Sequence, residues 1–506
     1  MKNNSAISEI VMIQPNTSLT GTFIRMLPIG LLYASSKVVA MGLTVHILDL
    51  RINSISWQKD LDALITDNTV IVGVSVMSGF SILESLKISR FIRQRYPSIK
   101  IVWGGPHPTS NPDRVLEEDS IDYLVRSYGA EPFYQLVRHI INDKECLPLG
   151  EIKNLSWRNG QGEVIHNDIN LAFEFIRFQD IPYHLIKDFS LYRNITGNEI
   201  IFPIYSVMGC PYQCAFCSSP AQYGRFEKKW QPYVVDDVIA HIKMVKERYN
   251  ASFIYFIDDD SFVDLGHVER IIDIINREGI GIKLGFRGAR VNEILLMNDV
   301  FLRKLVEAGT NTLHIGAESG SNRILQLMKK NISVEQTLEV NRKLARYPEI
   351  KVYYNFIVGF PTETIEETLQ TRDLILRLIR ENSSCCIIPL NKPRPLPGTE
   401  LYDLAYRYGY KGPRTLDEWG NYDVESSDYN PVWLSKKHNR LIRMMFLCMY
   451  FIDNKIFKLP VKNSSRTLAL KAIAFLYKPL ADLRFKLGFY QLLLEDNIYS
   501  LFKRIL

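Results

Sequence analysis

The chain has 506 residues, of which 46% are hydrophobic and 23% charged, with a net charge of +6. This composition is typical of a globular protein and excludes a disordered, fibrous or transmembrane chain. Seven cysteines, three of them within eight positions, disfavour a disulfide framework and indicate a reducing compartment. Because the N-terminal sequence also lacks the pattern of a signal peptide, we predict a cytoplasmic protein.

Residues 1–140 alternate short apolar runs with helical periodicity. The runs include EIVMIQP, LTVHILDL, TVIVGVSVMS, KIVWGGP and DYLVRS. Continuous Val/Ile runs are typical of strands that are covered on both faces, as in a parallel sheet with crossover helices. The pattern therefore predicts an α/β domain with a doubly wound parallel sheet, whose ligands bind beyond the carboxyl ends of the strands. The WGGP stretch at one such end is equally compatible with a simple tight turn.

Three further regions follow in chain order. Residues 141–198 are less periodic and are predicted to be a connecting segment with one hairpin. Residues 199–412 alternate apolar strands and amphipathic helices in six βα units, which predicts a partial (β/α)6 barrel of TIM type. Residues 413–506 are predicted to be helical and basic, since 434–506 carry a net charge of +10.

The stretch GCPYQCAFC contains Cys210, Cys214 and Cys217, just past the first predicted barrel strand. Three thiolates can bind three of the four irons of a 4Fe-4S cluster, which leaves a coordination position open on the fourth iron. A structural zinc site needs a fourth ligand, and the nearest downstream histidine, His241, is not at finger spacing. Unrelated buried cysteines are the remaining alternative, which this spacing disfavours.

Other predicted strand ends carry polar residues. The FIDDD stretch supplies Asp259 and its neighbours, which could accept hydrogen bonds from an ammonium group or from ribose hydroxyls; helix capping is the alternative. Arg287 could meet a carboxylate, or it could form a structural ion pair.

CPYQCAFC resembles the CxxxCxΦC signature of the radical S-adenosylmethionine (SAM) superfamily, with Phe216 as the aromatic residue before the third cysteine. The stretches GAESGS, GFPTET and RPLPGTELY resemble further motifs of that superfamily in the same order. The resemblance implies that the open iron chelates SAM, and that one electron from the cluster cleaves SAM to a 5′-deoxyadenosyl radical. It implies no catalytic residues beyond the cluster ligands.

The resemblance also implies a SAM site. Its expected residues are Phe216, Asp259, Arg287, Glu318, Ser319 and Gly359. Glu318 and Ser319 would contact the cofactor, and Gly359 would allow its adenosyl group close to the backbone.

The N-terminal domain is similar to that of the cobalamin-binding subgroup of radical SAM enzymes. The implied corrin-lining residues are Ser75, Met77, Gly104, Gly105 and Glu131. The DxHxxG motif that supplies an axial histidine in many cobalamin proteins is absent, which implies five-coordinate or otherwise ligated cobalt. His107 would lie near the corrin, although a lone loop histidine is more often exposed or structural.

The expected function is cobalamin-dependent C-methylation of an unactivated carbon in a natural-product or lipid-like substrate. Non-methylating radical cyclisation or rearrangement of such a substrate is the alternative enzymatic function. A function of a different class, as an iron-sulfur electron carrier or sensor, is a further alternative. The expected partners are a small-molecule substrate and an external electron donor such as flavodoxin or ferredoxin, without nucleic acid.

The basic C-terminal region mixes Lys and Arg with Leu, Phe and Tyr at helical spacing. One interpretation is peripheral contact with an anionic membrane, which would make the cytoplasmic protein membrane-associated. The favoured interpretation is a helical cap that closes the open edge of the barrel with its charges outside.

Overall fold

The computed structural model describes residues 8–17, 26–52, 55–193, 199–422, 430–452 and 465–491. These residues fall into two compact units. The first takes in the described residues of Met1–Asn194, Arg225–Lys228 and Gly412–Ser426, and the second takes in those of Ile195–Gly224, Lys229–Lys411 and Ser427–Leu506.

The first unit is built on a seven-stranded sheet in the order β2-β1-β3-β4-β5-β6-β7. Its strands are β1 (Glu9–Gln14), β2 (Thr44–Asp49), β3 (Thr69–Ser75), β4 (Lys100–Gly104), β5 (Tyr123–Val125), β6 (Leu155–Arg158) and β7 (Val164–His166). Its helices are α1 (Ile29–Ala40), α2 (Trp57–Asp62), α3 (Phe80–Arg95), α4 (Pro106–Ser110), α5 (Pro112–Leu116) and α6 (Ala130–Ile140).

Strands β1 to β5 pair in parallel in the order 2-1-3-4-5, which confirms the predicted doubly wound sheet. The apolar runs form these strands because both faces are covered: Ile10, Val72 and Ile101 have no exposed surface. The chain reverses direction after β5, since β6 and β7 pair antiparallel. The hairpin expected in 141–198 is this β6–β7 pair, and it extends the sheet of the first unit instead of forming a separate connecting segment.

The second unit is a half-barrel of six parallel strands. In sheet order these are β15 (Cys385–Ile387), β14 (Lys351–Phe356), β13 (Thr310–Glu318), β12 (Lys283–Ala289), β11 (Phe253–Phe256) and β8 (Ile201–Ile204). A short antiparallel pair, β9 (Val207–Gly209) with β10 (Trp230–Pro232), follows the first barrel strand. The six predicted barrel strands are all confirmed.

Helices cover one face of the half-barrel. They are α7 (Ser219–Tyr223), α8 (Val235–Tyr249), α9 (Leu265–Arg277), α10 (Val291–Leu296), α11 (Asp299–Glu307), α12 (Asn322–Leu327), α13 (Val334–Leu344), α14 (Ile365–Glu381) and α15 (Glu400–Arg407). Alternate strand residues such as Ile254, Phe286 and Leu313 are buried at 2% exposure or less, as expected where side chains alternate between two faces. Tyr255, Arg287 and His314 occupy positions on the other face.

The C-terminal region is helical where it is described: α16 (Leu416–Asn421), α17 (Lys436–Ile452) and α18 (Ser465–Leu487). It does not form one domain, because α16 belongs to the first unit whereas α17 and α18 belong to the second. The predicted region 413–506 also covers 423–429, 453–464 and 492–506, which lie outside the described residues. Within the described part of the chain, no helix combines the length and apolar character needed to cross a bilayer.

Candidate active site

The cysteine loop begins where β9 ends, at Gly209 with φ +80°. This left-handed conformation suits glycine and turns the chain out of the strand. The loop is fixed from both sides by Ala215, whose N–H donates to Met328 O at 3.0 Å and whose carbonyl accepts from Leu401 N at 2.8 Å. Phe216 packs in an apolar cluster with Ile324, Met328, Phe360 and Leu401. The ring of Phe216 thus anchors the loop, and its expected contact with the cofactor stays a prediction.

The three thiols lie close enough to influence one another electrostatically. Burial raises the pKa of Cys210 to about 12, and nearby Cys217 and Asp260 add to this rise. Burial also raises the pKa of Cys217, against the opposing effect of its hydrogen bonds with Ser219. Metal binding must displace these protons, because the thiolate is the ligand.

The donor set fits a 4Fe-4S cluster. The backbone N–H of Ser219 points at Cys217 Sγ at 3.4 Å, and Arg290 Nη1 donates to Cys214 Sγ at 3.2 Å. Hydrogen bonds to sulfur are a usual feature of cluster sites. Among the described residues, no group of three His, Cys, Asp or Glu side chains is arranged around a single metal ion. A cluster does not need such convergence, since each of its thiolate ligands binds a different iron.

The three carboxylates after β11 have different surroundings. Asp258 is buried and accepts hydrogen bonds from Ser206 N at 2.8 Å, Ser206 Oγ at 2.6 Å and Val207 N at 3.1 Å. Burial raises the pKa of Asp258 to about 6. Its contacts tie the turn between β8 and β9 to the residues that follow β11, so its role is structural.

Asp260 is paired with another acid. Burial, together with the adjacent carboxylate of Glu293, raises the pKa of Asp260 well above its usual range. Tyr212, inside the cysteine loop, donates its hydroxyl to Glu293 Oε1 at 2.7 Å. The hydrogen bond from Tyr212 ties this acidic pair to the cysteine loop.

Asp259 is the one of the three carboxylates with an accessible side chain. Protein atoms nevertheless crowd around it, and this crowding raises its pKa against the opposing charge of Arg287. Hydrogen bonds from Tyr223 and Ser219 act in the same direction as Arg287. Asp259 and exposed Arg287, both predicted site residues, are thus brought together next to the cysteine loop.

Aromatic residues lie beside Arg287 on the face opposite the buried strand residues of the half-barrel. The rings of His314 and Tyr353 stack at 4.9 Å, and Tyr255 meets His314 edge-on at 5.8 Å. A Cβ at Gly285 would come within 2.9 Å of the Tyr255 ring, so glycine there makes room for it. Burial and the charge of Arg287 lower the pKa of His314 to about 4, which keeps the imidazole neutral. Sequence reasoning did not select this aromatic group, because its members are far apart in the chain.

Glu318 and Ser319 are less accessible than expected. Glu318 has a left-handed φ of +62°, and its carboxylate accepts from Lys330 Nζ at 2.8 Å in an ion pair with 7% exposure on each side chain. Ser319 has no exposed surface, and its hydroxyl accepts from Ser321 N at 3.1 Å. The expectation that Ser319 contacts SAM is corrected here, since a fully buried turn residue offers a ligand no surface.

Gly359 also differs from expectation. Its φ is +88°, and a Cβ there would lie 2.8 Å from Leu434 Cδ1 and 3.0 Å from Ile442 Cδ1. Trp433 Nε1 donates to the Gly359 carbonyl at 2.9 Å. The close approach at Gly359 is made by the C-terminal region, so this contact gives no support to an adenosyl group there.

The first unit carries the predicted corrin site at the carboxyl ends of β3 and β4. Ser75 and Gly104 end these strands, and Met77 follows with 52% exposure. Gly105 has φ +104°, and a Cβ there would lie 2.9 Å from Val76 O, so it lets the two loops approach each other. An exposed apolar side chain beside partly exposed glycine backbone fits the planar face of a corrin.

Glu131 and His107 fit that group less well. Lys37 and Gln135 each donate to one carboxylate oxygen of Glu131. His107 has no exposed surface, and its Nδ1 lies 3.0 Å from Ser78 Oγ. A buried imidazole covered by Trp419, with ring centroids 5.5 Å apart, does not reach a ligand at this edge. His107 is therefore structural, as the sequence pattern favoured.

Two family models match the chain. A B12 binding domain matches residues 25–137, and the radical SAM superfamily matches residues 204–375. The chain is a radical SAM protein with a B12-binding domain. As such it is an enzyme whose cofactors are a 4Fe-4S cluster, SAM and cobalamin.

Known proteins resemble the chain over most of its length. An uncharacterized methyltransferase of Pyrococcus horikoshii is 27% identical over 383 residues, which are 75% of this chain and 78% of the relative. An anaerobic magnesium-protoporphyrin IX monomethyl ester cyclase of Rubrivivax gelatinosus is 23% identical over 349 residues, 68% of this chain and 61% of the relative.

A solved structure shares the fold. The cobalamin-dependent SAM radical enzyme OxsB, with aqua-cobalamin and SAM bound, has a TM-score of 0.72 at 17% identity and covers 99% of this chain and 75% of its own. At this identity the likeness bears on the fold alone. It agrees with the order of the two α/β units along this radical SAM protein.

Proposed function

We propose that this radical SAM enzyme transfers a methyl group from SAM to an unactivated carbon of a natural-product or lipid-like small molecule. The observation that carries the proposal is the B12-binding domain that precedes the radical SAM domain. The relative from Pyrococcus horikoshii, named as a methyltransferase, supports it over three quarters of the chain.

When bound, the cluster supplies the electron that cleaves SAM to a 5′-deoxyadenosyl radical, and cobalamin supplies methyl-transfer chemistry. The chain's residues hold and orient these groups. Cys210, Cys214 and Cys217 would ligate the cluster, while Asp259 and Arg287 offer opposite charges to the amino and carboxylate groups of SAM. The neutral rings of Tyr255, His314 and Tyr353 would line the radical's side of the half-barrel and limit water there, which protects a radical from side reactions.

Non-methylating cyclisation or rearrangement is the second candidate. The relative from Rubrivivax gelatinosus, named as a cyclase, favours it over 68% of the chain. The two candidates differ in what becomes of SAM, because methyl transfer yields S-adenosylhomocysteine in addition to 5′-deoxyadenosine.

Anaerobic reconstitution tests the proposal. The protein is loaded with iron, sulfide and cobalamin, then given SAM and a strong reductant, and both nucleoside products are quantified. We expect a bound corrin spectrum, 5′-deoxyadenosine, and S-adenosylhomocysteine that forms only when cobalamin is present. Failure to bind corrin, or 5′-deoxyadenosine without any S-adenosylhomocysteine, would overturn methyl transfer and leave the second candidate.

Cysteine variants provide the control. Cys214→Ala should lose iron and both products, because the cluster loses a ligand. Cys146→Ala removes a partly exposed thiol of the first unit and should leave both unchanged. Full iron loading with unchanged turnover in Cys214→Ala would contradict the assignment of the triad.

A small-molecule substrate and an external one-electron reductant follow from the enzyme class.

Peripheral membrane contact stays a prediction. One surface bears on it, an exposed stripe on α18 that consists of Leu476, Leu480, Leu483 and Leu487. Co-sedimentation with phosphatidylserine vesicles tests this surface. Equal pelleting of the parent protein and Leu476→Ser/Leu483→Ser would contradict membrane contact through the stripe.

A further inference from the structure

Arg290 is a buried basic residue in contact with one of the predicted cluster ligands. It follows β12 and is 5% exposed. Its Nη1 donates to Cys214 Sγ at 3.2 Å, its Nε donates to Asn292 Oδ1 at 3.2 Å, and its Nη2 donates to Lys330 O. The guanidinium therefore presents one N–H to the sulfur while the others hold it in place.

The start of α10 also positions the aromatic ring of Tyr212, which packs against Arg290. The guanidinium carbon lies 3.7 Å from the centroid of the Tyr212 ring. Asn292 Nδ2 donates to the Tyr212 hydroxyl at 3.1 Å, and that hydroxyl donates to Glu293 Oε1 at 2.7 Å. Because Tyr212 lies between Cys210 and Cys214, the cysteine loop and the start of α10 hold each other in register.

A fixed cation bonded to a ligand sulfur has an electrostatic consequence. Reduction adds an electron to the cluster, and a positive hydrogen-bond donor stabilises this added charge. The effect is strong here because Arg290 and Cys214 are both buried, and a low local dielectric screens their interaction weakly.

We propose that Arg290 raises the reduction potential of the 4Fe-4S cluster through its hydrogen bond to Cys214, so that an ordinary cellular reductant can reduce it. Arg290 is a positioning residue that acts through the sulfur of Cys214. This role depends on the cluster and not on methyl transfer, so it stands or falls separately from the proposed reaction.

The test is a redox titration of the anaerobically reconstituted full-length protein without SAM, followed by the EPR signal of the reduced cluster. Iron and sulfide per chain are measured on the same samples. Arg290→Met keeps the length of the side chain but removes the charge and all donors, and Arg290→Lys keeps the charge but not the planar fork. Arg342→Met is the matched control, since it removes an Arg that is 55% exposed and paired with Glu381.

We expect Arg290→Met to retain iron and to show a midpoint potential more negative than that of the parent protein. Arg290→Lys should lie between the two, and Arg342→Met should equal the parent. An unchanged midpoint in Arg290→Met overturns the proposal. If Arg290→Met loses iron, the Arg290→Lys variant decides the question. A midpoint potential of Arg290→Lys that is more negative than the parent's supports the proposal. An unchanged midpoint potential, or loss of iron from Arg290→Lys as well, would mean that Arg290 only holds the cysteine loop in place and would overturn the proposal.

Discussion

Glu318 and Lys330 form an ion pair that is buried on both sides, beside the end of β13. A Cβ at Gly316 would lie 2.1 Å from Glu318 Oε1 and 2.5 Å from Lys330 Nζ, so the pair lies directly over this glycine. Buried ions are tolerated only with their partners, because removing one leaves the other unsolvated. The left-handed Glu318 is held in place in part by this contact.

The pair gives the first prediction. Lys330→Met should lower the free energy of unfolding by about 3–5 kcal/mol, because Glu318 would keep a buried charge without a partner. Urea unfolding followed by circular dichroism measures the change, and Glu318→Gln/Lys330→Met should recover part of it. The adjacent Lys329→Met breaks an exposed pair with Glu400 and should cost less than about 1 kcal/mol. Equal losses in the two single variants would contradict the prediction.

His107 gives a pH-dependent prediction. Burial lowers its pKa from 6.5 to about 4. The folded state therefore binds this proton less readily than the unfolded state, so the stabilisation is complete above pH 6.5 and is lost as the pH falls towards 4. At pH 5 the loss for this group is about 2 kcal/mol relative to pH 7.

Urea unfolding of the metal-free protein at pH 7 and pH 5 measures this loss, with His107→Phe expected to reduce the difference. Phe keeps an aromatic ring against Trp419 but carries no titrating group. His184→Gln, which changes an exposed histidine on a short turn, should leave the pH dependence as in the parent. A His107→Phe profile as steep as the parent's would show that the acid sensitivity arises elsewhere.

Local residue patterns predicted part of the site. The three cysteines lie within one loop, so their spacing alone indicated the cluster. Arg290 lies 76 residues after Cys214, and no periodicity marks which arginine meets a sulfur. The FIDDD stretch identified the carboxylates, but the turn after β11 decides that Asp259 is accessible while Asp258 is buried.

At the scale of elements, the strands were predictable because their apolar residues mark the faces that become buried. β11 at Phe253–Phe256 and β14 at Lys351–Phe356 are two of the six strands that the alternation in 199–412 predicted. Gly359 shows the limit of such reasoning. A glycine at a strand end indicates that something approaches closely, but the sequence does not tell whether it is a ligand or another part of the chain.

The packing at Gly359 is testable. Gly359→Ala should destabilise the protein by about 2–4 kcal/mol, because φ +88° strains a side chain and the new Cβ meets Leu434. Gly359→Ala/Leu434→Ala should recover the steric part of the loss but not the strain. Urea unfolding measures both, and equilibrium dialysis measures SAM binding by the reconstituted protein. Unchanged stability with weakened SAM binding would instead support the adenosyl approach expected from the sequence.

At the scale of the whole molecule, the chain does not divide in sequence order. Composition separated a basic helical region from residue 413 onward, yet α16 belongs to the first unit and begins 250 residues after the end of β7. A Cβ at Gly420 would lie 2.4 Å from Leu83 Cγ, so α16 lies close against α3. The local sequence does not indicate such a long-range contact, because a short amphipathic helix has the same residue pattern whichever surface it covers.

Trp419 anchors α16 in the first unit. It is 1% exposed, and its ring meets those of His107 and Tyr422. Trp419→Ala should remove about 3–5 kcal/mol from the stability of the first unit, through lost burial and the cavity left behind. Hydrogen exchange followed by mass spectrometry should then show reduced protection in α3 and α16, with strands β12 to β14 protected as in the parent.

Trp433→Ala is the matched control, since Trp433 bonds to Gly359 in the second unit. Its loss should reduce protection around Gly359 and α17 while α3 stays protected. The two tryptophans lie only 14 residues apart in the sequence. If the two variants lose protection in different units, the cause is therefore the unit to which each tryptophan belongs and not its position in the chain. Reduced protection of α17 without any change in α3 on Trp419→Ala would place α16 with the second unit and contradict the division described above.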